Sequence, residues 1–309
     1  MSIRTDLALE ARDACNQKSI DGVSVVERKP CEGVFITRVK IFNENGEKVI
    51  GKKMGNYITV ECPDLALRDE IAREKTAKAV AEELKALITQ KEREGTILVV
   101  GLGNKNVTAD AIGPKVCDKV FVTRHMKQWV PEYIDERAGT ISAIAPGVLG
   151  VTGLETMEVI RGIVENIKPS LVVAIDALAA RQLSRISTTI QLSDAGIAPG
   201  SGIGNKRKEI SKETLGVSVI AIGVPMVCFA NTIAVDLIEQ AVANTKMKFS
   251  KGQMDQVFSA IMQQSAGEMV VTPKESDVIV EYCAGVIADS MNLTFHRDMS
   301  LEEIRRFMN

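Results

Sequence analysis

The sequence predicts an α/β protein in which helices flank a mostly parallel β-sheet. Two stretches carry this prediction, because residues 97–101 (ILVVG) and 171–176 (LVVAID) are runs of aliphatic residues without a polar face. A strand of this kind is buried on both sides, as in a parallel sheet that helices cover. The chain has 309 residues, of which 45% are hydrophobic. This is enough for a large core, and we interpret residues 1–309 as a single α/β domain.

The N-terminal part is predicted to form an antiparallel β extension over residues 23–62. Residues 34–42 alternate apolar and polar side chains, which is typical of a strand with one buried face. Residues 43–46 (NENG) have the composition of a turn, and residues 48–50 are expected to return as the second strand of a hairpin. A further short strand is predicted at residues 56–60.

A long helix is predicted between the β extension and the core sheet. It is expected to begin at Pro63 and to end near Glu94, before Gly95. Its apolar residues recur at the three- and four-residue spacing of one helix face. These residues are Ala77, Val80, Ala81, Leu84, Leu87 and Ile88.

The core sheet is predicted within residues 95–245, and the rest of the chain, residues 246–309, is predicted to be helical with a break near Pro273. Strands are expected at 97–101, 171–176, 186–192 and 217–223, with a strand or loop at 141–145. Helices are expected to begin near Ala109 and to cover 153–167 and 231–243.

Composition excludes several classes of partner. The net charge of −2 gives no electrostatic case for a nucleic acid. No apolar run reaches the roughly 18 residues that span a bilayer, and the charged N-terminus has no signal-peptide core. We therefore expect a cytoplasmic protein without a direct nucleic acid or membrane partner. Its six scattered cysteines are expected to be free thiols.

Two common kinds of catalytic site are disfavoured. The chain has only two histidines, His125 and His296, with no G-x-S-x-G elbow and no zinc-ligand spacing. The glycine-rich loop at residues 101–104 suggests nucleotide binding, but Asn106 occupies the place of the third glycine. We therefore expect no resident metal and no cofactor.

Two aspartates follow the predicted parallel strands. Asp110 comes after the first strand, and Asp176 ends the second. In open α/β sheets the functional site lies beyond the carboxyl ends of the strands. Two carboxylates a few ångströms apart do not both ionise easily, so one can activate water while the other donates a proton. Because an aspartate at a strand end is also a common helix cap, this pattern alone is only suggestive.

Three further residues are candidates for substrate binding. Asn104 lies in the glycine-rich loop, and Lys206 and Arg207 lie in a basic run that follows the glycine-rich segment 198–204. Basic side chains at such a position can dock acidic groups, although a basic run is also commonly a solvated loop.

Five long segments resemble those of the germination protease (spore protease) family, and together they span most of the chain. They are RTDLALEA at 4–11, GNYITVE at 55–61, GLGNKNVTADAIGP at 101–114, SAIAPGVLGVTGLET at 142–156 and GSGIGNKRKEISKETLGVSVIAIGVP at 200–225.

The resemblance implies an endopeptidase of the spore core that degrades small acid-soluble spore proteins during germination. It implies a zymogen that removes its own N-terminal segment, a homotetramer, and a core like that of hydrogenase-maturation endopeptidases. The family's proposed catalytic pair falls on Asp110 and Asp176. The related maturation enzymes contact nickel through equivalent acidic positions, so a transient metal stays open.

The resemblance also implies where the chain would cut itself. Family members cleave after an acidic residue that precedes a hydrophobic residue and alanine, and Asp6-Leu7-Ala8 has this pattern. Residues 1–6 are then the predicted propeptide. The sequence Glu70-Ile71-Ala72 has the pattern again, but it lies in the predicted long helix and is expected to stay uncut.

One departure from the family leaves alternatives open. Phe229 stands where the family usually has an acidic residue. The chain is therefore also compatible with a catalytically impaired relative that binds acidic peptides without cutting them. A second alternative is a maturation-type peptidase that uses a metal to recognise its substrate.

Overall fold

The computed structural model describes residues 5–15, 17, 19–200, 208–245, 251–262 and 269–308. Within these residues, nine strands form one sheet with helices packed against it. The strands are β1 (Val23–Cys31), β2 (Val34–Ile41), β3 (Gly55–Glu61), β4 (Thr96–Gly101), β5 (Thr140–Ile144), β6 (Leu171–Ala180), β7 (Thr189–Ser193), β8 (Ser218–Phe229) and β9 (Val270–Val271).

Helices precede, connect and follow these strands. In chain order they are α1 (Ala8–Asp13), α2 (Glu44–Ile50), α3 (Glu70–Leu87), α4 (Gln90–Glu94), α5 (Ile112–Cys117), α6 (Arg124–Trp129), α7 (Leu149–Thr152), α8 (Thr156–Ile167), α9 (Lys212–Leu215), α10 (Ala230–Asn244), α11 (Lys251–Met262), α12 (Ser276–Phe295) and α13 (Leu301–Met308). Short 3-10 segments lie at Pro63–Leu67, Thr108–Asp110, Pro131–Tyr133 and Leu183–Arg185.

The sheet is mixed, so the prediction of a mostly parallel sheet is wrong. Its strand order is β1-β2-β3-β7-β8-β6-β4-β5, and β9 pairs with β8. The pairs β4–β5, β4–β6 and β6–β8 are parallel, whereas β1–β2, β2–β3, β3–β7, β7–β8 and β8–β9 are antiparallel. The reason is that β7 joins the predicted N-terminal antiparallel extension to the parallel strands in one continuous sheet.

The parallel strands are buried on both faces, as their aliphatic sequences predict. In β4, Ile97 and Val99 belong to the core on the side of α3, α5 and α12. Leu98 and Val100 belong to the core on the opposite side, with Met157 and Ile160 of α8. Full burial of each such side chain stabilises the fold by about 1.5–3 kcal/mol.

Helix α12 is the central helix of the larger core. By length and composition alone it is the one helix in the described residues that is apolar enough to cross a membrane. However, 72% of its apolar window is buried inside the protein. It packs mainly against α3 and α5, and we therefore assign it to the core.

The predicted hairpin at residues 43–50 is a helix instead. The Asn43 side chain accepts a hydrogen bond from the backbone N–H of Gly46 at 2.8 Å, which caps α2. Gly51 ends the helix with a φ of 71°. An asparagine that nucleates a turn also caps a helix, so the composition of this segment fits both structures.

The predicted helix from Pro63 to Glu94 is divided into three pieces. A 3-10 segment ends at Arg68, which has a φ of 55°, and α3 then begins after Asp69, whose side chain caps it. Ile88 has extended backbone and separates α3 from α4, which ends at Gly95 as predicted. The expected buried residues Ala77, Val80 and Leu84 do lie in the core.

The other predicted elements are present with shifted bounds. Residues 140–144 form a strand, and α8 begins later than expected, at Thr156. β7 also begins later than its predicted start at residue 186, and β8 continues to Phe229. The break near Pro273 is confirmed, although the short strand β9 precedes it.

Candidate active site

A cavity of about 790 Å³ lies where the sheet changes from parallel to antiparallel. Gly223 of β8 pairs with Asp176 of β6 on one side and with Gln191 of β7 on the other. Residues opposite one another on adjacent strands share a face of the sheet, so these residues form one row across the seam. The cavity is lined by all three of them and also by Asp110.

Asp176 reaches the cavity from β6. This strand continues to Ala180, but its parallel neighbour β4 ends with Gly101 opposite Ile175. Asp176 is therefore the first residue of β6 that extends past the end of β4. It is 5% exposed, and its Oδ1 accepts a hydrogen bond from the backbone N–H of Ala177 at 2.9 Å.

Asp110 reaches the cavity from the 3-10 turn after β4. Its Oδ2 accepts a hydrogen bond from the backbone N–H of Asn104 at 2.7 Å. Gly103 has a φ of 104°, and a Cβ there would lie 2.0 Å from the backbone oxygen of Asp110. The glycine-rich loop therefore allows close packing against the turn that carries Asp110. The structure brings both predicted aspartates to one cavity, and their role as a catalytic pair stays a prediction.

Of the three residues predicted to bind substrate, Asn104, Lys206 and Arg207, the structure describes only Asn104. The Asn104 side chain accepts a hydrogen bond from the backbone N–H of Asn106 at 3.0 Å, which stabilises the loop. Asn104 is not among the residues that line the cavity. Lys206 and Arg207 lie outside the described residues.

Thr5 and Asp6 of the N-terminal segment line the same cavity. The backbone N–H of Asp6 donates to the carbonyl oxygen of Ala179 at 2.9 Å, and Asp6 Oδ2 accepts from the N–H of Ala179 at 2.9 Å. Leu7 has extended backbone, with φ −79° and ψ 123°, and its side chain is fully buried. Leu7 shares an apolar cluster with Leu178, Ala180 and Cys228. The predicted processing bond is thus extended and held against β6.

Gln191 contacts the chain on both sides of the Asp6–Leu7 peptide bond. Its Nε2 donates to the carbonyl oxygen of Asp6 at 3.2 Å, and its Oε1 accepts from the backbone N–H of Ala8 at 2.8 Å. This residue was not predicted from the sequence. The alternation of polar and apolar residues in Thr189–Ser193 was the available signal, because it indicates a polar face on β7.

Lys52 supplies a positive charge beside the same segment. Its Nζ donates to the carbonyl oxygen of Thr5 at 3.2 Å. Burial lowers the pKa of Lys52, and the nearby carboxylates of Asp6 and Glu10 oppose that shift. Lys52 was not predicted from the sequence either, because a lysine in a glycine-lysine-lysine segment is typical of a surface loop.

Glu10 anchors α1 to the loop that follows β6. Its carboxylate is buried and accepts hydrogen bonds from the backbone N–H groups of Arg181 at 2.7 Å and Gln182 at 3.0 Å. The guanidinium of Arg185 lies 3.4 Å away. A buried carboxylate with several donors is strongly held, so the start of α1 is fixed relative to the cavity.

The histidines do not reach the cavity. His296 is buried against Phe121, accepts a hydrogen bond from the N–H of Gly139 at 3.1 Å, and has its pKa lowered to about 4 by burial. His125 is exposed on α6. Neither histidine lines the cavity, so neither is placed to activate a nucleophile there.

The cysteines are free thiols, as predicted. Burial raises the pKa of Cys228 to about 12, and that of Cys117 to about 12, so both stay protonated near neutral pH and are poor nucleophiles.

Phe229 is buried in the larger core and is not among the cavity-lining residues. Among the described residues, no group of three or more His, Cys, Asp or Glu side chains is placed to hold a metal ion.

Comparison with known proteins supports the resemblance seen in the sequence. A family profile described as germination protease matches residues 4–257. The germination protease of Clostridium acetobutylicum is 43% identical over 325 residues, which cover 100% of this chain and 99% of the relative. The chain belongs to the germination protease family.

Two further relatives agree with this assignment. The germination protease of Caldanaerobacter subterraneus is 44% identical over 326 residues, covering 100% of this chain and 99% of the relative. That of Bacillus thuringiensis is 39% identical over 349 residues, covering 96% and 95%. As a member of the germination protease family, the chain is a peptidase that acts on a protein substrate in spore germination.

Proposed function

We propose that this protein is an endopeptidase that starts the degradation of small acid-soluble spore proteins, and that it is made as a zymogen that cuts its own chain between Asp6 and Leu7. One observation carries the proposal: the cavity that contains Asp110 and Asp176 also contains Asp6, at the bond predicted to be cut. Cleavage of this bond would release residues 1–6 as the propeptide.

Asp110 and Asp176 act as an aspartate pair in this proposal. The ionised member removes a proton from the water that attacks the carbonyl carbon of Asp6, and the protonated member polarises the carbonyl oxygen. The bond between that carbon and the nitrogen of Leu7 then breaks, and the nitrogen receives a proton from the aspartate pair. Burial of Asp176 supports this role, because a site shielded from water strengthens such interactions.

The contacts of the N-terminal segment support a preference for an acidic residue before the cut. The Asp6 carboxylate accepts from the Ala179 N–H, and Lys52, which lines the same cavity, interacts favourably with the Asp6 charge. Leu7 occupies an apolar pocket that suits a hydrophobic residue after the cut. A substrate strand can add to the backbone of β6 as Asp6 does, which requires it to be extended.

A purified small acid-soluble spore protein is the substrate that tests the proposal. We expect wild-type enzyme to cut it after acidic residues that precede a hydrophobic residue and alanine, with the new termini read by mass spectrometry. An intact substrate, with the enzyme folded, would instead favour an impaired relative. Cleavage that requires stoichiometric metal, measured by elemental analysis, would favour a metal-dependent peptidase.

The assembly and compartment are also part of the proposal. We propose a homotetramer in the cytoplasm of the forespore and in the spore core, without a resident metal or cofactor. Sedimentation velocity of the purified protein tests the tetramer. Fractionation of dormant spores tests the compartment.

A further inference from the structure

The amide of Gln191 meets the predicted scissile peptide at the one atom where negative charge develops during hydrolysis. Its Nε2 lies 3.2 Å from the carbonyl oxygen of Asp6. Attack of water on that carbonyl converts its oxygen into an oxyanion, and a donor aimed at this atom lowers the barrier. Resting on the proposed function, we infer that Gln191 polarises the scissile carbonyl and holds the substrate backbone on both sides of the cut bond.

The partners of Gln191 fix the direction of its amide. The backbone N–H of Ala8 can only donate, so the oxygen of the Gln191 amide faces it at 2.8 Å. The carbonyl of Asp6 can only accept, so the NH₂ group faces that carbonyl. In the reverse orientation, the NH₂ group would face the N–H of Ala8, and the amide oxygen would face the carbonyl oxygen of Asp6. Each contact therefore enforces the other, and the donor is oriented before any reaction begins.

The position of Gln191 in the sheet explains how it can act together with Asp176. The two residues lie on β7 and β6, on either side of Gly223 of β8. Adjacent strands are about 4.8 Å apart, so the two backbones are separated by roughly 10 Å. Across such a gap, Gln191 can reach the peptide carbonyl from one side while Asp176 reaches the attacking water from the other. Gln191 is 8% exposed, so its amide is largely shielded from bulk solvent.

Gly223 also contributes to this arrangement. A Cβ at this position would lie 2.4 Å from Cδ1 of Leu178. Without a side chain, Gly223 lets Leu178 lie over β8, where Leu178 packs against Leu7. Leu178, which contacts the residue after the cut bond, therefore lies next to the row of residues that contains Gln191 and Asp176.

Gln191 transfers no proton in this scheme. The water oxygen bonds to the carbonyl carbon of Asp6, a proton passes from the water to the ionised aspartate, and the Leu7 nitrogen leaves with a proton from the aspartate pair. Gln191 only donates a hydrogen bond that shortens as the oxyanion forms. A substrate that binds from another chain would take over both contacts, so Asp6 and Ala8 must first separate from Gln191.

Gln191→Glu is the sharpest test, because it keeps the size and the acceptor but loses the NH₂ donor. We expect self-processing at pH 7.5, followed by intact-mass spectrometry, to slow by roughly 10²-fold, as after loss of one oxyanion donor. As the pH falls towards about 4.3, the glutamic acid regains a donor, so the ratio of variant to wild-type rate should rise. A merely structural role would leave this ratio constant.

Two further variants complete the experiment. Gln191→Ala is expected to be slow at every pH, because it never regains a donor, and thermal unfolding checks that each variant is folded. Gln128→Glu makes the same chemical change outside the cavity, on α6, and should process at the wild-type rate.

The outcomes separate the inference from the proposed function. If processing in the wild type depends on Asp176 but is unchanged in Gln191→Glu and Gln191→Ala, the inference fails and the proposed function stands. If the wild type neither processes itself nor cuts a spore protein, the proposed function fails and the inference falls with it.

Discussion

The parallel and antiparallel halves of the sheet contribute different groups to the candidate active site. Strands β4 and β6 belong to the parallel half, and they position Asp110 and Asp176. Strand β7 and the loop before β3 belong to the antiparallel half, and they carry Gln191 and Lys52. These two side chains form hydrogen bonds to the backbone of the N-terminal segment.

In the proposed function, the proton-transfer groups therefore come from the parallel half, whereas the side chains that hold the peptide backbone come from the antiparallel half. The carboxyl ends of parallel strands meet at one edge, which concentrates acidic groups there. An antiparallel strand instead presents alternate side chains along its whole length, which suits contact with an extended peptide. The effects of variants in the two halves on cleavage should therefore differ in kind as well as in size.

The largest effect is expected in the parallel half. Asp110→Asn or Asp176→Asn keeps the shape of the side chain but removes its ability to exchange a proton, so cleavage of a spore protein should fall by at least ~10²-fold. Circular dichroism should show an unchanged fold. Asp118→Asn, the same change outside the cavity and directly after α5, is the control. Near wild-type turnover in either cavity variant would exclude the aspartate pair.

A smaller and selective effect is expected at Lys52, in the antiparallel half. Lys52→Met removes the positive charge that interacts favourably with the Asp6 carboxylate, and a tenfold loss corresponds to about 1.4 kcal/mol. Cleavage of a peptide with Asp before the cut should fall about tenfold, whereas the matching Asn peptide should lose much less. Lys48→Met is the control, because Lys48 is exposed on α2 and does not line the cavity. Equal losses with both peptides would contradict a role for Lys52 in recognition.

The smallest effect concerns the stability of the folded protein and comes from His296, which lies outside the candidate active site. The folded protein keeps His296 neutral down to its pKa of about 4, whereas the unfolded chain binds a proton as the pH falls below about 6.5. The contribution of His296 is therefore fully present above pH 6.5 and is lost as the pH falls. We expect a loss of less than about 1 kcal/mol between pH 7 and pH 6.

Urea unfolding at several pH values measures this effect. His296→Gln should flatten the pH dependence, while His125→Gln should leave it unchanged because His125 is exposed. A pH dependence that survives in His296→Gln would assign it to other groups.

The sequence predicted the parallel half better than the antiparallel half, for a physical reason. Aliphatic runs such as 171–176 identify buried strands locally, and the aspartates that follow them are placed by a general rule of α/β sheets. The pairing of β7 with β3 and β8 joins residues far apart in the chain, and no local pattern specifies it. Gln191 could therefore be predicted to lie on a polar strand face, but not to lie opposite Gly223 and Asp176.

The two acidic cleavage patterns show what local sequence can decide. Glu70 and Ile71 begin α3, which Asp69 caps through a 2.9 Å hydrogen bond to the N–H of Ala72. Asp6 and Leu7 precede α1 and are extended. Helical periodicity predicted this difference, whereas the contacts of Asp6 with Ala179 and Gln191 required the tertiary structure. That Glu70–Ile71 stays uncut remains a prediction.

Self-processing at the Asp6–Leu7 bond is best tested by intact-mass spectrometry of the purified protein during incubation at a series of pH values. We predict loss of residues 1–6, a mature chain that begins at Leu7, faster processing on mild acidification, and no processing in Asp176→Asn. A mature chain that begins elsewhere, a fragment that begins at Ile71, or equal processing in Asp176→Asn would contradict the proposed aspartate-dependent zymogen.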